Sequence, residues 1–383
     1  NLVESMKKPD FYPDNPSFVE LIQTHISFIF ITDNFVYKVK KAVDFGFLDF
    51  TSLDKRKFYC AEELRLNRRL APDIYLDVLE IGETKEKKLL FGTGDRVIDY
   101  AVRMRKIPQD RMLKRMLSEG KIQSPVFDAI ARKLSEFHSL ADTGGEIDLI
   151  GSPETVKFNH DENFAQTEKY IGRTIPEYQY NFIRKYIYNF MDRHQDLLRQ
   201  RVKDHRIRDC HGDLHLEHIC IGNEIVIFDC IEFNERFRCG DVAAEVAFLT
   251  MDLDYNGYSY FGDVFVNAYV QYANDPQIIT LLNFYKCYYA YVRGKVIGFR
   301  IDDEAINKED RESARKTALT YFDLAYTYAA RLESPALIIS CGLMGTGKSQ
   351  LARNIAPRIG AEIIRTDVLR KEMLDINPAQ RHY

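Results

Sequence analysis

The sequence predicts an α+β chain: a small antiparallel sheet with one helix against it, then a larger helical region, then the opening of an α/β unit. Three observations predict this. β-branched and aromatic runs crowd the first hundred or so residues. Apolar residues recur at helical spacing over most of the chain beyond them. Near the C-terminal end, an apolar run leads into a glycine-rich turn and a further helical segment. The length of 383 residues makes two or three domains the starting expectation. Hydrophobic residues are 45% of the chain, enough for real cores, and 20 Gly with 12 Pro exclude collagen-like and low-complexity classes. Charged residues are 29%, and the apolar runs fall far short of the roughly 18 residues of a membrane helix, so no membrane partner is expected. The balance of 53 basic against 57 acidic residues, net −4, argues against a general nucleic-acid binder. Seven cysteines, an odd number without a CxxC pair, read as reduced thiols of a cytoplasmic protein. The N-terminus has no signal-peptide core and no Met at position 1, so the chain is expected to begin inside a longer product.

The elements come in order. Residues 26–32 and 35–40 read as strands joined at Asp33-Asn34, a hairpin signature. A charged helix is predicted over 53–70, stopping at Ala71-Pro72. Residues 74–81 and 97–104 read as two more strands. Helical spacing then covers 126–140, 178–198 and 275–299, with a charged helix over 305–331. Between them, 207–229 is a strand-like island that holds three of the nine histidines, His211, His215 and His218. A short linker, 332–335, precedes a predicted buried strand over 336–341, a helix over 349–356 and a second strand over 361–365.

Gly342-Leu343-Met344-Gly345-Thr346-Gly347-Lys348-Ser349 fits the P-loop (Walker A) pattern at every fixed position. Gly342, Gly345 and Gly347 let backbone N–H groups turn inward around phosphates. Lys348 brings a charge to the terminal phosphates, and Ser349 a hydroxyl for Mg²⁺. The following helix aims its positive end at the same anion. Beyond it, Asp367 and Arg370 resemble the Asp-x-x-Arg element of small P-loop kinases related to polynucleotide kinase and zeta toxin. The alternative for Asp367 is a helix N-cap. Residues 333–383 are fewer than the ~100 of a typical domain, so this P-loop kinase or ATPase domain is expected to be incomplete.

His211-Gly212-Asp213-Leu214-His215, followed by an apolar run ending in Asp229, places two carboxylates as phosphoryl transfer needs them: one for the acceptor hydroxyl, one for Mg²⁺. This pattern resembles the aminoglycoside phosphotransferase-like kinases, which share the protein-kinase fold, over roughly residues 17–330. The resemblance implies a bilobal kinase domain over 1–332, with an N-lobe of about 1–104 and a C-lobe of about 105–332, fused to the P-loop domain as in a recognisable bacterial family. It implies ATP and Mg²⁺ as cofactors and a small-molecule hydroxyl as acceptor. Asp213 would be the catalytic base, Asp229 the metal ligand, and His211 part of the catalytic motif. Asp241-Val242-Ala243-Ala244-Glu245 resembles the helix start that braces the catalytic loop, with Glu245 where Asp is usual. His218 stands where the family has a metal-binding Asn, and imidazole is a poorer partner for hard Mg²⁺ than oxygen.

Lys38 and Lys40 share a strand face, and the resemblance selects Lys38 for the phosphates with Glu63 as its helix partner, Glu62 in reserve. Residues 24–27 would cover the phosphates, and 103–107 would contact adenine. A structural zinc site of His211, His215, His218 and Cys220 is the weaker reading of the histidines. Cys210, Cys220 and Cys230 read as core residues. For the acceptor, 251–255 offers Asp252, Asp254 and Tyr255, while Lys286, Arg293 and Arg300 form a basic stripe that reads first as a solvated face. Three functions stand as expectations: a Mg·ATP-dependent phosphotransferase, a degenerate nucleotide-binding module regulating the P-loop half, or a kinase acting on a protein or nucleic-acid end through that half, suggested by Asp367 and Arg370. Nucleic acid is an unlikely partner for the first domain and a possible one for the second.

Overall fold

The computed structural model describes residues 1–303, 306–331, 337–343, 345–359 and 361–373. A short helix, Leu2–Met6 (α1), precedes three strands, Glu20–Gln23 (β1), Ser27–Ile31 (β2) and Phe35–Lys40 (β3). Helix Leu53–Asn67 (α2) follows, then Tyr75–Glu83 (β4), Leu89–Phe91 (β5) and Arg96–Arg105 (β6). The six strands make one antiparallel sheet in the order β1-β2-β3-β6-β4-β5. β1 and β5 were not among the predicted strands. Each is a short edge strand whose residues carry little alternation, so its pairing comes from its neighbour.

Alternation gives the sheet two faces. On one, Tyr37 and Val39 pack with Met6, Tyr12, Phe30, Ile81 and Ala101. The Tyr12 hydroxyl donates to the Met6 carbonyl at 2.6 Å, which ties the N-terminal turn over that face. On the other, Cys60 of α2 packs with Ala71, Tyr75, Tyr100 and Val102. α2 starts at Ser52, whose hydroxyl accepts the Lys55 N–H. Its buried Arg56, Cys60, Glu63 and Asn67 recur at helical spacing on one face.

The helical region runs through Leu113–Ser118 (α3), Ser124–Leu140 (α4), Glu146–Ile150 (α5), Pro153–Thr167 (α6), Glu177–Arg193 (α7) and Gln195–Lys203 (α8). The single helix predicted over 178–198 is therefore two, parted at His194, whose φ of −110° and ψ of 19° are not helical. Three-residue strands Ile207–Asp209 (β7), Ile219–Ile221 (β8) and Ile225–Ile227 (β9) follow, then Glu235–Arg238 (α9) and Cys239–Asp241 (β10). β7 pairs with β10 and β8 with β9, both antiparallel. Helices Val242–Tyr255 (α10), Ser259–Ala273 (α11), Ile278–Gly298 (α12), Lys308–Ala330 (α13), Lys348–Ile359 (α14) and Thr366–Glu372 (α15) follow among the described residues.

Backbone packing divides the chain into two units: Asn1–Asn159 with Met191–Tyr285, and His160–Phe190 with Lys286–Tyr383. In the second unit the Tyr291 ring meets Phe164 and Phe322 edge-on, at 5.2 and 5.0 Å. The basic stripe is not a uniform solvated face: Lys286 is 4% exposed, over the Tyr328 ring at 4.7 Å, and Arg300 is exposed. The strands predicted over 336–341 and 361–365 are corrected: residues 337–343 and 361–365 carry no strand, and Leu337 and Ile364 are 82% and 67% exposed. A strand exists only as part of a hydrogen-bonded ladder, and no described residue pairs with either segment. Residue 336 and the linker 332–335 lie outside the described residues. No described helix is long and apolar enough to cross a membrane.

Candidate active site

The loop after β7 is built to a narrow geometry. Gly212 has φ +86°, and a Cβ there would lie 2.8 Å from the Arg238 Cα and the Phe237 carbonyl oxygen, so a side chain does not fit. Glu245, in the first turn of α10, accepts the N–H groups of His211 at 2.9 Å and Gly212 at 2.7 Å. It also accepts from His138 Nε2 at 2.7 Å. Burial opposes its charge, but His138 and these donors outweigh it and hold its carboxyl below the ordinary range. Asp241 caps the same helix by accepting the Ala243 N–H at 2.8 Å, and its carboxylate is gripped by the buried Arg201. Asp252, expected to meet an acceptor, is instead buried and takes the Leu216 N–H at 2.9 Å. That bond ties the loop to α10.

His211 uses both ring nitrogens. Nδ1 accepts from the Asp213 N–H at 3.3 Å, and Nε2 donates to the Phe228 carbonyl at 2.9 Å. Burial pushes its pKa down to about 4, so it is neutral at pH 7. It joins the loop to the segment that ends at Asp229. Asp213 Oδ2 lies 3.5 Å from His215 Nε2 and 3.6 Å from His218 Nδ1. His218 Nδ1 lies 2.9 Å from the Asp213 carbonyl, and its Nε2 lies 3.6 Å from Asp229 Oδ2. The donor atoms of Asp213, His215 and His218 lie within 4.8 Å of one another; His211 and Cys220, of the zinc reading, are not in this group. Cys210, Cys220 and Cys230 are buried.

Asp229 sits at φ +63°, a left-handed conformation that Asp tolerates better than most residues. Its carboxylate faces Lys38, whose Nζ lies 2.9 Å from Asp229 Oδ1 and 2.9 Å from Glu63 Oε1. Desolvation opposes charge on both partners, but their attraction wins: Asp229 is held well below the carboxylate range, and Lys38 well above the lysine range. Lys40, the next residue on the same strand face, also reaches Glu63, at 2.6 Å from Oε2, and pairs with Glu232. Glu62, the reserve partner, bonds Arg65 on its own helix. Asn67 Oδ1 accepts the Cys230 N–H at 2.8 Å, so α2 also holds the Asp229 segment. Lys40, Glu232 and Asn67 went unread as site residues. The only signals were the twin lysines at spacing two and a carboxylate three residues after Asp229.

Thr24 Oγ1 accepts the Ser27 N–H at 2.9 Å and so closes the turn between β1 and β2. Of the segment expected to meet adenine, Arg103 is paired with Asp77, while Ile107 lines a cavity of about 360 Å³ with Ile74, Pro108, Arg111 and Val226.

In the second unit Gly342, Gly345 and Gly347 have φ of +147°, +82° and +84°. Lys348 Nζ donates to the Gly342 and Leu343 carbonyls at 2.7 and 2.6 Å, and α14 starts at Lys348, with Ser349 exposed in its first turn. Arg370 lies in α15; residue 344 and the side chain of Asp367 lie outside the described residues.

A family model described as an AAA domain matches residues 337–383. Uncharacterized protein Rv2004c of Mycobacterium tuberculosis (strain ATCC 25618 / H37Rv) is 30% identical over 363 residues, covering 94% of this chain and 70% of that protein. Uncharacterized protein Mb2027c of Mycobacterium bovis gives the same figures. Among solved structures, a choline/ethanolamine kinase family protein from Mesorhizobium loti has a TM-score of 0.47 at 11% identity, covering 85% of this chain and 98% of that one. The GDP complex of aminoglycoside 2'-phosphotransferase-IIIa has a TM-score of 0.41 at 13% identity, covering 83% and 98%.

Proposed function

The chain belongs to the family of these mycobacterial proteins and joins a kinase-like fold to an AAA-type P-loop segment, and from that premise we propose that it is a Mg·ATP-dependent phosphotransferase acting on a hydroxyl of a small molecule. One observation carries the reading: Lys38 bridges Glu63 of α2 and Asp229, beside a braced loop that presents Asp213. Glu63 orients Lys38 toward the nucleotide phosphates. Asp213 accepts the proton of the acceptor hydroxyl. His215 and His218 flank its carboxylate, while His211 and Glu245 hold the loop without moving a proton. Asp229 and Nε2 of His218 would hold the metal; one carboxylate oxygen and one imidazole nitrogen 3.6 Å apart suit a divalent cation. The chemistry a bound Mg²⁺ would supply there is neutralisation of phosphate charge. In the P-loop segment, Gly342, Gly345, Gly347 and Lys348 would cradle a second nucleotide, with Ser349 on its metal and Asp367 and Arg370 at an acceptor or nucleic-acid end. The buried cysteines fit a cytoplasmic setting.

The test is thermal unfolding of the chain carrying Lys348→Ala, with ATP, with and without Mg²⁺, beside Asp229→Ala in the same background. Binding to the native state raises the midpoint. A Mg²⁺-dependent rise that disappears with Asp229→Ala is expected. No rise at millimolar ATP sinks the proposal. A second reading rests on His218 in place of Asn: a nucleotide-binding module that regulates the P-loop half. Nucleotide binding with no ATP turnover against any hydroxyl compound, restored by His218→Asn, would favour it.

A further inference from the structure

Two buried charges beside the site are not explained by phosphate contact. Lys40 and Glu232 are both buried, and they pair with each other. Lys40 also holds Glu63 Oε2 at 2.6 Å, while Lys38 holds Glu63 Oε1 at 2.9 Å. The five groups form one alternating chain: Asp229, Lys38, Glu63, Lys40, Glu232. Its two ends lie three residues apart on one segment, both lysines lie on β3, and the shared carboxylate lies on α2.

We propose that Lys40 and Glu232 are positioning residues that fix Glu63 from its buried side and so set where Lys38 meets the nucleotide. The inference rests on the nucleotide site proposed above. Glu63 has two oxygens and two lysines. A buried Lys40 with no other partner would draw on Glu63 alone and loosen its hold on Lys38. Glu232 gives Lys40 a second acceptor, so the attraction on Glu63 is shared evenly. The Phe50 ring, 4.8 Å from Lys40 Nζ, closes off the buried end. Because Glu232 and Asp229 share a segment, the same clamp spaces Lys38 from the metal carboxylate. Fully ionised, two ammonium groups against three carboxylates leave the chain one negative charge.

The test is affinity for a fluorescent ATP analogue with Mg²⁺, in the whole chain carrying Lys348→Ala, with circular dichroism to confirm folding. The variants are Glu232→Gln, which keeps an acceptor oxygen, Lys40→Met, and the two together, which removes both buried charges at once. Each single variant is expected to weaken binding about tenfold, as coupled networks do, and the double variant no more than Lys40→Met alone. Unchanged affinity in folded variants would mean that the pair serves only the core, and the proposal falls. Additive losses would mean that the two do not act through Glu63, and it falls too. If the parent itself does not bind the analogue, the nucleotide site fails first and takes this inference with it. Should Lys40→Met not fold, Glu232→Gln and the double variant decide alone: wild-type affinity in both overturns the proposal.

Discussion

Asp229 and Gly212 show what single residues contribute here. Both sit at positive φ, and each sets the position of a carboxylate that the proposed reaction uses. At Gly212 the constraint is steric as well as conformational, because a Cβ meets backbone atoms of 237 and 238 that cannot move aside. Gly212→Ala is therefore expected to destabilise the fold by roughly 2–4 kcal/mol and to abolish the Mg²⁺-dependent response to ATP, read by thermal unfolding. His218 makes a different prediction. Imidazole nitrogen favours Mn²⁺ over Mg²⁺ relative to an all-oxygen site. Nucleotide affinity measured with each metal should show a several-fold Mn²⁺ preference, and His218→Asn should move it toward Mg²⁺. An unchanged metal ratio would remove His218 from the metal site.

At the scale of elements, α10 works as a brace. Asp241 caps it, Glu245 takes two loop N–H groups, and Asp252 takes a third. Glu245→Gln replaces one acceptor oxygen by a donor facing donors, in a buried site. A loss of roughly 3 kcal/mol is expected, seen as a lower denaturation midpoint with an unchanged denaturant slope. In the second unit, α6 carries the buried His160 into its aromatic packing, where the ring lies 4.9 Å from Tyr288. Burial, partly offset by Asp161, lowers its pKa from 6.5 to about 3. The unfolded chain therefore binds the proton first. The stability this group contributes is complete above pH 6.5 and is lost as pH falls from there toward about 3. The slope is at most about 1.4 kcal/mol per pH unit. His160→Phe should flatten the wild-type loss over that window; identical pH profiles for the two proteins would contradict it.

At the scale of the whole molecule, two nucleotide-binding signatures occur in one chain, and they use different chemistry. One joins side chains from a sheet, a helix and two loops; the other is a single backbone turn with one lysine. If both bind, their contributions to stability with ATP should be separable. Asp229→Ala and Lys348→Ala are each expected to remove part of the ATP-induced rise in midpoint, and the double variant all of it. A full rise in the double variant would place nucleotide elsewhere.

The P-loop, the His-Gly-Asp loop and the strand bearing Lys38 were legible in the sequence, because each is a local pattern whose chemistry needs those residues in that order. The helix face with Glu63 was legible through the resemblance together with helical spacing, with Glu62 kept in reserve. Edge strands β1 and β5 were not, because their pairing depends on a neighbour and not on their own residues. The apolar runs before and after the P-loop looked like strands but lack a partner among the described residues. Nor could spacing show that Asp252 faces a backbone N–H, that Lys286 is covered by Tyr328, or that Glu232 closes a chain of charges begun at residue 38. Local sequence determined which chemistry is present. Tertiary structure decided which charge each group answers to, because ion pairs across 190 or so residues of chain depend on burial and distance that only the folded backbone sets.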